Sequence, residues 1–210
     1  MKKLILIGFG GHFKSVFDSL DSTLFDDIKI LDQNPDKWGL EYKGYEVCGG
    51  IELLKNLKEK EYNYAFICIG DSNVRNYYYN ECLKQDIELV NIIDKTSVIS
   101  NSVKLGVGIF IGKKVIINTD AVVNNNAIIN TGTIIEHDCN VGFLSFIGPG
   151  VILTGGVKTS DNSYIGAGVI VNPYLTIGRN SVIGSGSVVT RNIDSNKVAY
   201  GVPCKEVMSK

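Results

Sequence analysis

VISNSV-KLGVGI-FIGKKV-IINTDA-VVNNNA-IINTGT-IIEHDC-NVGFLS-FIGPGV-ILTGGV-KTSDNS-YIGAGV-IVNPYL-TIGRNS-VIGSGS, residues 98–187 divided every six, decides the fold. The second residue of each six, from Ile99 to Ile183, is a branched aliphatic, with Thr159 the exception. The sixth is small or β-branched almost throughout, as at Val103, Ala121, Ala127, Thr133, Cys139, Ser145, Val151 and Val157. Gly or Asn usually follows the aliphatic (Gly106, Gly112, Asn118, Asn124, Asn130, Gly142, Gly148, Gly166). No amphipathic helix repeats every six residues, and a simple pleat needs no turn residue at a fixed phase. The pattern predicts a β-solenoid, each six making one flat side and one corner. The aliphatic points inward, the small residue lets the chain close, and the Gly or Asn after the aliphatic is expected at the positive-φ corner. Three sixes make a triangular coil, so the stretch holds about five coils. A sandwich of short strands is the alternative, but sandwich loops vary in length and this phase never slips.

The repeat resembles the hexapeptide repeat of the left-handed parallel β-helix acyltransferases, and the handedness is implied by that resemblance alone. With the N-terminal stretch described next, the whole chain is similar to the sugar O- and N-acetyltransferases, of the bacillosamine and perosamine N-acetyltransferase and sialic acid O-acetyltransferase type.

Length and composition bound the remainder. The 210 residues suffice for one large or two small domains. Charge is nearly balanced at −1 with no basic block, which argues against a nucleic-acid partner. No apolar run approaches a membrane helix, so no membrane insertion is expected. The start MKKLILIGFGGHF imitates a signal peptide, but its apolar core is short and runs into glycines, so it reads as a buried strand. The cysteines are scattered and odd in number (Cys48, Cys68, Cys82, Cys139, Cys204), without a CxxC pair, as in a reduced cytoplasmic protein.

Before the solenoid, strands and helices alternate. Residues 3–8 read as a strand, followed by a glycine turn and a helix with Val16, Phe17 and Leu20 on one side. A second strand, 28–31, ends at Asp32, and a polar stretch runs from 33 to 42. A helix is predicted over 51–58, a strand over 64–69, a helix over 73–84 and a last strand over 88–93. This is the pattern of a small Rossmann-like α/β domain with a parallel sheet. The domains are expected at 1–95 and 96–210. The closing Gly201-Val202-Pro203-Cys204 resembles the Gly-Val-Pro-Ala ending of the family.

Gly8-x-Gly10-x-x-Phe13 follows a strand and opens a helix, with Asp32 at the end of the next strand, which tempts a dinucleotide reading. Phe13 in place of the third glycine argues against it. What remains is general: amide groups at a helix N-terminus attract phosphate and other polar groups. The resemblance makes this specific. The family's Gly-x-x-Gly-His turn receives a nucleotide-linked sugar, and Gly8-Phe9-Gly10-Gly11-His12 matches it, which implies substrate contacts from Gly10, Gly11 and His12. By the same alignment Asp32 contacts the base or ribose and Gly70 borders the site. Arg75 reads either as a phosphate contact or as a plain helix-surface partner of Asp71, and the plain reading is preferred.

His137, in Ile134-Ile135-Glu136-His137-Asp138-Cys139, falls after the inward aliphatic, near a corner, where side chains point outward. A lone exposed histidine is ordinarily a solvated corner. Here two acids flank it, and acids orient an imidazole and raise its basicity. It also matches the family's Glu-His-Glu/Asp motif, which implies that His137 is the general base of direct acetyl transfer from acetyl-CoA to a sugar amine. Asp138 holds the imidazole, Glu136 being able to share that role, and an N–H near Gly155 steadies the oxyanion. Asn130 aligns with a family asparagine at the sugar, or is simply a corner. The family's second histidine, nine residues after the base, contacts acetyl-CoA, and here that position is Phe146. Gly155, Ala167 and Ser185 align with the CoA channel. The resemblance also implies a homotrimer with His137 of one chain meeting the glycine turn of another. No metal is expected: a solenoid metalloenzyme needs about three histidines on zinc, and only His12 and His137 exist. A non-catalytic nucleotide-sugar scaffold and an O-acetyltransferase stand as the alternatives to amine transfer.

Overall fold

Lys3-Leu-Ile-Leu-Ile7 forms β1, the centre of a six-stranded sheet, and Leu4 to Ile7 are buried. A strand so uniformly apolar needs cover on both faces, which is the condition of a parallel sheet. The elements that follow are α1 (Gly11–Ser19), β2 (Asp27–Leu31), β3 (Glu41–Tyr42), β4 (Tyr45–Gly49), α2 (Leu54–Glu59), β5 (Tyr64–Ile67), α3 (Ser72–Lys84) and β6 (Glu88–Leu89). The sheet order is β3-β4-β2-β1-β5-β6. All its pairs are parallel except the β3–β4 hairpin at the edge. That hairpin lies partly in the stretch read from sequence as polar loop, and β4 was not foreseen. Its signal is Lys43-Gly44: both residues have positive φ (51° and 85°), as a two-residue mirror-type hairpin turn requires.

The structure is a computed structural model that describes residues 2–209. It divides into two units, Met1–Ile92 and Ile93–Lys210. The division precedes the joint expected at residue 95, because the chain has already entered the solenoid: the Asp94 amide donates to the Ile111 carbonyl (2.9 Å). For the same reason the strand expected over 88–93 is two strands, β6 in the first sheet and Ile92–Ile93 at the end of a solenoid sheet.

In the second unit, two-residue strands recur every six residues from Val98–Ile99 to Val188–Val189. From Val98–Ile99 to Ile170–Val171 each pairs in parallel with the strand eighteen residues on, as Ile116↔Ile134 and Val123↔Val141 do. Three sheets result. Face one contains Phe110–Ile111, Ile128–Ile129, Phe146–Ile147, Tyr164–Ile165 and Val182–Ile183. Face two contains Ile116–Ile117, Ile134–Ile135, Ile152–Leu153 and Ile170–Val171. Face three contains Val122–Val123, Asn140–Val141, Lys158–Thr159 and Thr176–Ile177. The second and sixth residues of the sixes fill the interior, from Ile111 and Val115 to Ile183. Thr159 stays inside too, buried, with its hydroxyl accepting from the Gly142 amide (3.4 Å). The strands Lys197–Gly201 and Cys204–Ser209 close the end as an antiparallel pair.

One expectation about the corners is corrected. The positive-φ residue is not the Gly or Asn that follows the aliphatic but the one two places later. Gly108, Lys114, Asp120, Asn126, Gly132, Asp138, Leu144, Gly150 and Gly156 all have φ between 56° and 70°. Glycine is favoured directly after the aliphatic for a different reason, the close approach of the next coil. A Cβ on Gly142 would lie 2.5 Å from the carbonyl carbon of Ser160, and one on Gly166 would lie 2.6 Å from the amide of Ser185.

Candidate functional site

Ligands of open α/β sheets bind beyond the carboxyl ends of the strands, where the strand order reverses. In this sheet that point is β1, with β2 on one side and β5 on the other. A cavity of about 300 Å³ opens there, lined by residues that follow β1 (Gly8 to His12), β2 (Asp32, Gln33) and β5 (Cys68, Ile69, Gly70), together with Lys37, Val74 and Tyr78. The five N-terminal residues predicted from sequence, Gly10, Gly11, His12, Asp32 and Gly70, therefore share one cavity. Lys37, Gln33 and Tyr78 were missed, since nothing in their spacing joins them to the glycine turn.

The turn is shaped by its glycines. Gly8 has φ +102°, and a Cβ there would strike Ile69 at 2.5 Å. A Cβ on Gly10, Gly11 or Gly70 would meet nothing, so the cavity floor is bare backbone. Among the described residues no side chain caps α1, whose N-cap is Gly10. The Gly11 amide that opens α1 therefore meets no capping side chain. Phe13 is fully buried and stacks edge-on with Phe9 (4.9 Å) and Tyr42 (5.4 Å). An aromatic core occupies the place of a third glycine.

The Asp32 carboxylate accepts from the amides of Phe9 (2.6 Å) and Asn34 (2.9 Å) and from Lys37 Nζ (3.0 Å). Burial opposes its ionisation, but the amides of Asn34 and Phe9 and the Lys37 ammonium outweigh that and hold the carboxyl below its ordinary range. Burial, reinforced by the Arg75 charge, pushes His12 down to about 4, so its imidazole is neutral at neutral pH. Arg75 is neither a surface residue nor an open phosphate contact, although the Asp71 charge acts on it. It is 1 % exposed, and its Nη1 donates to the carbonyls of Ile69 (3.1 Å) and Gly70 (2.6 Å). It fixes the loop that ends at Gly70. Asp71 also caps α3, accepting from the Val74 amide (2.9 Å).

On the solenoid, Glu136, His137 and Asp138 stand on the edge between faces two and three. His137 Nδ1 lies 2.7 Å from Asp138 Oδ2, and both side chains are open to solvent. Glu136 is not a second partner: it accepts from Asn118 Nδ2 at 2.9 Å. The ring of His137 spreads over Gly155 on the next coil, where a Cβ would lie 2.6 Å from Nε2. An imidazole anchored through Nδ1 with Nε2 over bare backbone can exchange a proton with a ligand on that edge. The other predicted solenoid residues lie elsewhere on the prism. Asn130, Ala167 and Ser185 are on the edge between faces one and two. Phe146 is on face one, stacked on Tyr164 (4.7 Å, 2°). One chain does not bring these four to His137. Among the described residues no cluster of three His, Cys, Asp or Glu could hold a metal, and no helix is long and apolar enough to cross a membrane.

A small parallel-sheet domain followed by a solenoid of hexapeptide repeats is the architecture of the left-handed β-helix acyltransferases. Comparison with known proteins narrows this. Residues 3–82 match the PglD N-terminal domain family, and residues 156–191 match the bacterial transferase hexapeptide (six repeats) family. The chain is similar to PerB from Caulobacter crescentus, solved with CoA and GDP-perosamine, at 34 % identity and a TM-score of 0.93 over 99 % of this chain and 98 % of that one. It is also similar to the acetyltransferase domain of PglB from Neisseria gonorrhoeae FA1090, at 25 % identity and a TM-score of 0.90 over 99 % and 100 %. WeeI from Acinetobacter baumannii AYE shares the fold, at 20 % identity, a TM-score of 0.79, and 99 % and 100 % coverage. The chain belongs to the family of perosamine- and PglB-type nucleotide-sugar N-acetyltransferases.

Proposed function

We propose that this protein transfers the acetyl group of acetyl-CoA to the amino group of a nucleotide-linked 4-amino-4,6-dideoxy sugar, with His137 as general base. The observation that carries this reading is the 2.7 Å His137–Asp138 pair, with Nε2 over Gly155. The relatives solved with CoA and GDP-perosamine, and with acetyl coenzyme A, support the pair of substrates. The cavity beside the glycine turn suits a nucleotide-linked sugar, with the bare amides of Gly10 and Gly11 toward phosphate and neutral His12 offering hydrogen bonds without charge.

In the reaction the sugar nitrogen attacks the thioester carbonyl, and Nε2 of His137 takes the proton that the nitrogen sheds. Asp138 keeps the other ring nitrogen protonated and stabilises the imidazolium. The Gly156 amide is committed to the His137 carbonyl (2.8 Å), which makes the Gly155 amide the candidate donor to the tetrahedral oxyanion. The carbon–sulfur bond then breaks, the thiolate leaves and is protonated from the imidazolium, and the amide remains on the sugar.

Because Asn130, Phe146, Ala167 and Ser185 lie away from the His137 edge, a site that uses them takes them from a second copy. A homotrimer with cyclic symmetry would present that surface of one subunit to the His137 edge of the next. The cysteines are all free, which supports a cytoplasmic setting.

The test is CoA release from acetyl-CoA with a panel of nucleotide-linked amino and hydroxy sugars, for the protein and for His137→Ala. An active amino sugar and a 10²- to 10⁴-fold loss of kcat in the variant are expected. Undiminished turnover by the variant removes His137 as base, and transfer only to hydroxyl acceptors makes the enzyme an O-acetyltransferase.

A further inference from the structure

On the edge that carries His137, successive coils stack residue on residue. The Asp138 amide donates to the Thr119 carbonyl (3.1 Å), the Gly156 amide to His137 (2.8 Å) and the Tyr174 amide to Gly155 (2.9 Å). The middle coil bears two adjacent glycines, and a ring from a different neighbour covers each. A Cβ on Gly155 would lie 2.6 Å from His137 Nε2, and one on Gly156 would lie 2.5 Å from Tyr174 Cδ1. The imidazole leans in from the coil before and the phenol ring from the coil after. The two rings thus cover adjacent residues of one Gly155–Gly156 backbone stretch.

Tyr174 holds this place against its own preference. It has φ +61°, at the corner position where most coils put Gly, Asn or Asp. For a bulky side chain that conformation is an outlier. Burial within the chain does not offset it: the residue is 75 % exposed, more than any other large hydrophobic residue among those described. Strain of this kind, held beside a reactive pair, points to a ligand contact.

We infer that Tyr174 is a positioning residue for the acyl-CoA co-substrate, its ring forming one wall for the thiol-bearing arm while His137 faces the thioester. This rests on the acetyl-CoA reading above. Neighbouring coils are ~4.8 Å apart, so Tyr174 stands roughly 10 Å along the edge from the coil of His137. A linear arm with its thioester at His137 spans that distance, whereas the phenol ring covers Gly156 and not Gly155, the residue under His137 Nε2. Tyr174 therefore governs binding of the co-substrate and not the chemical step.

The test is Tyr174→Gly, which suits a positive φ and so keeps the coil. CoA binding is measured by calorimetry, steady-state kinetics are run with saturating acceptor, and mass is measured by light scattering. The dissociation constant for CoA and the KM for acetyl-CoA are expected to rise about tenfold. kcat should stay within about twofold, and the mass and melting temperature should not fall. Tyr174→Phe, which keeps the ring, is expected to bind CoA like the parent. Equal CoA binding by Tyr174→Gly and the parent overturns this inference and leaves acetyl transfer standing. A parent protein that binds no CoA overturns both. A change of mass in Tyr174→Gly assigns the ring to packing between copies and also overturns it.

Discussion

Gly155 shows how much of the site depends on a missing atom. It needs no unusual φ, yet a methyl group there would sit 2.6 Å from His137 Nε2. Gly155→Ala is expected to displace the imidazole and lower kcat by at least tenfold, while the urea midpoint stays close to the parent's. An equal kcat would show that the ring does not need that space. His12 is the titrating counterpart in the N-terminal cavity. Its folded pKa is about 4, against an ordinary 6.5. Between those values the unfolded chain binds the proton and the folded chain does not, so stability is full above pH 6.5 and falls as pH drops toward 4. The loss is on the order of 3 kcal/mol. Urea titrations at pH 7 and pH 4.5 should show it, and His12→Asn should flatten the difference between them.

At the scale of the element, the two kinds of corner glycine make different predictions. Gly168 has φ +68° and open space around its missing Cβ, so Gly168→Ala should cost about 1 kcal/mol of backbone strain. Gly166 has an ordinary φ, but its Cβ would lie 2.6 Å from the Ser185 amide and 2.8 Å from the Ile183 carbonyl oxygen. Backbone cannot rotate away as a side chain can, so Gly166→Ala should cost about 3 kcal/mol. Chemical denaturation of both variants checks the order. Sequence alone shows glycine or asparagine at a regular phase. Which corner residue turns and which is crowded depends on the neighbouring coil. Arg75 carries the same lesson: its spacing from Asp71 suggests a surface pair, and only the packed loop shows its guanidinium on the carbonyls of Ile69 and Gly70.

For the whole molecule, the repeat makes stability nearly a sum over coils. Deleting residues 116–133 removes one full coil and brings Val98–Ile99 against Ile134–Ile135 with every aliphatic still inward. That variant should give a cooperative melt by circular dichroism at a reduced temperature. Deleting only 116–124 breaks the six-residue phase, turns outward polar residues into the prism, and should leave no cooperative transition.

The sequence by itself determined the solenoid, because a period of six with an inward aliphatic leaves one way to bury the chain. It also determined the strand–turn–helix at Gly8 to His12 and singled out His137 with its flanking acids, since these are local signals. Tertiary structure decided what depends on residues eighteen or more apart. It chose Asp138 over Glu136 as the partner of His137, since Asn118 on the preceding coil takes Glu136. It set Asp32 to hold the Phe9 amide, from a turn 23 residues earlier. It also separated Phe146, Ala167 and Ser185 from the His137 edge, because a triangular coil sends each successive six to a different face.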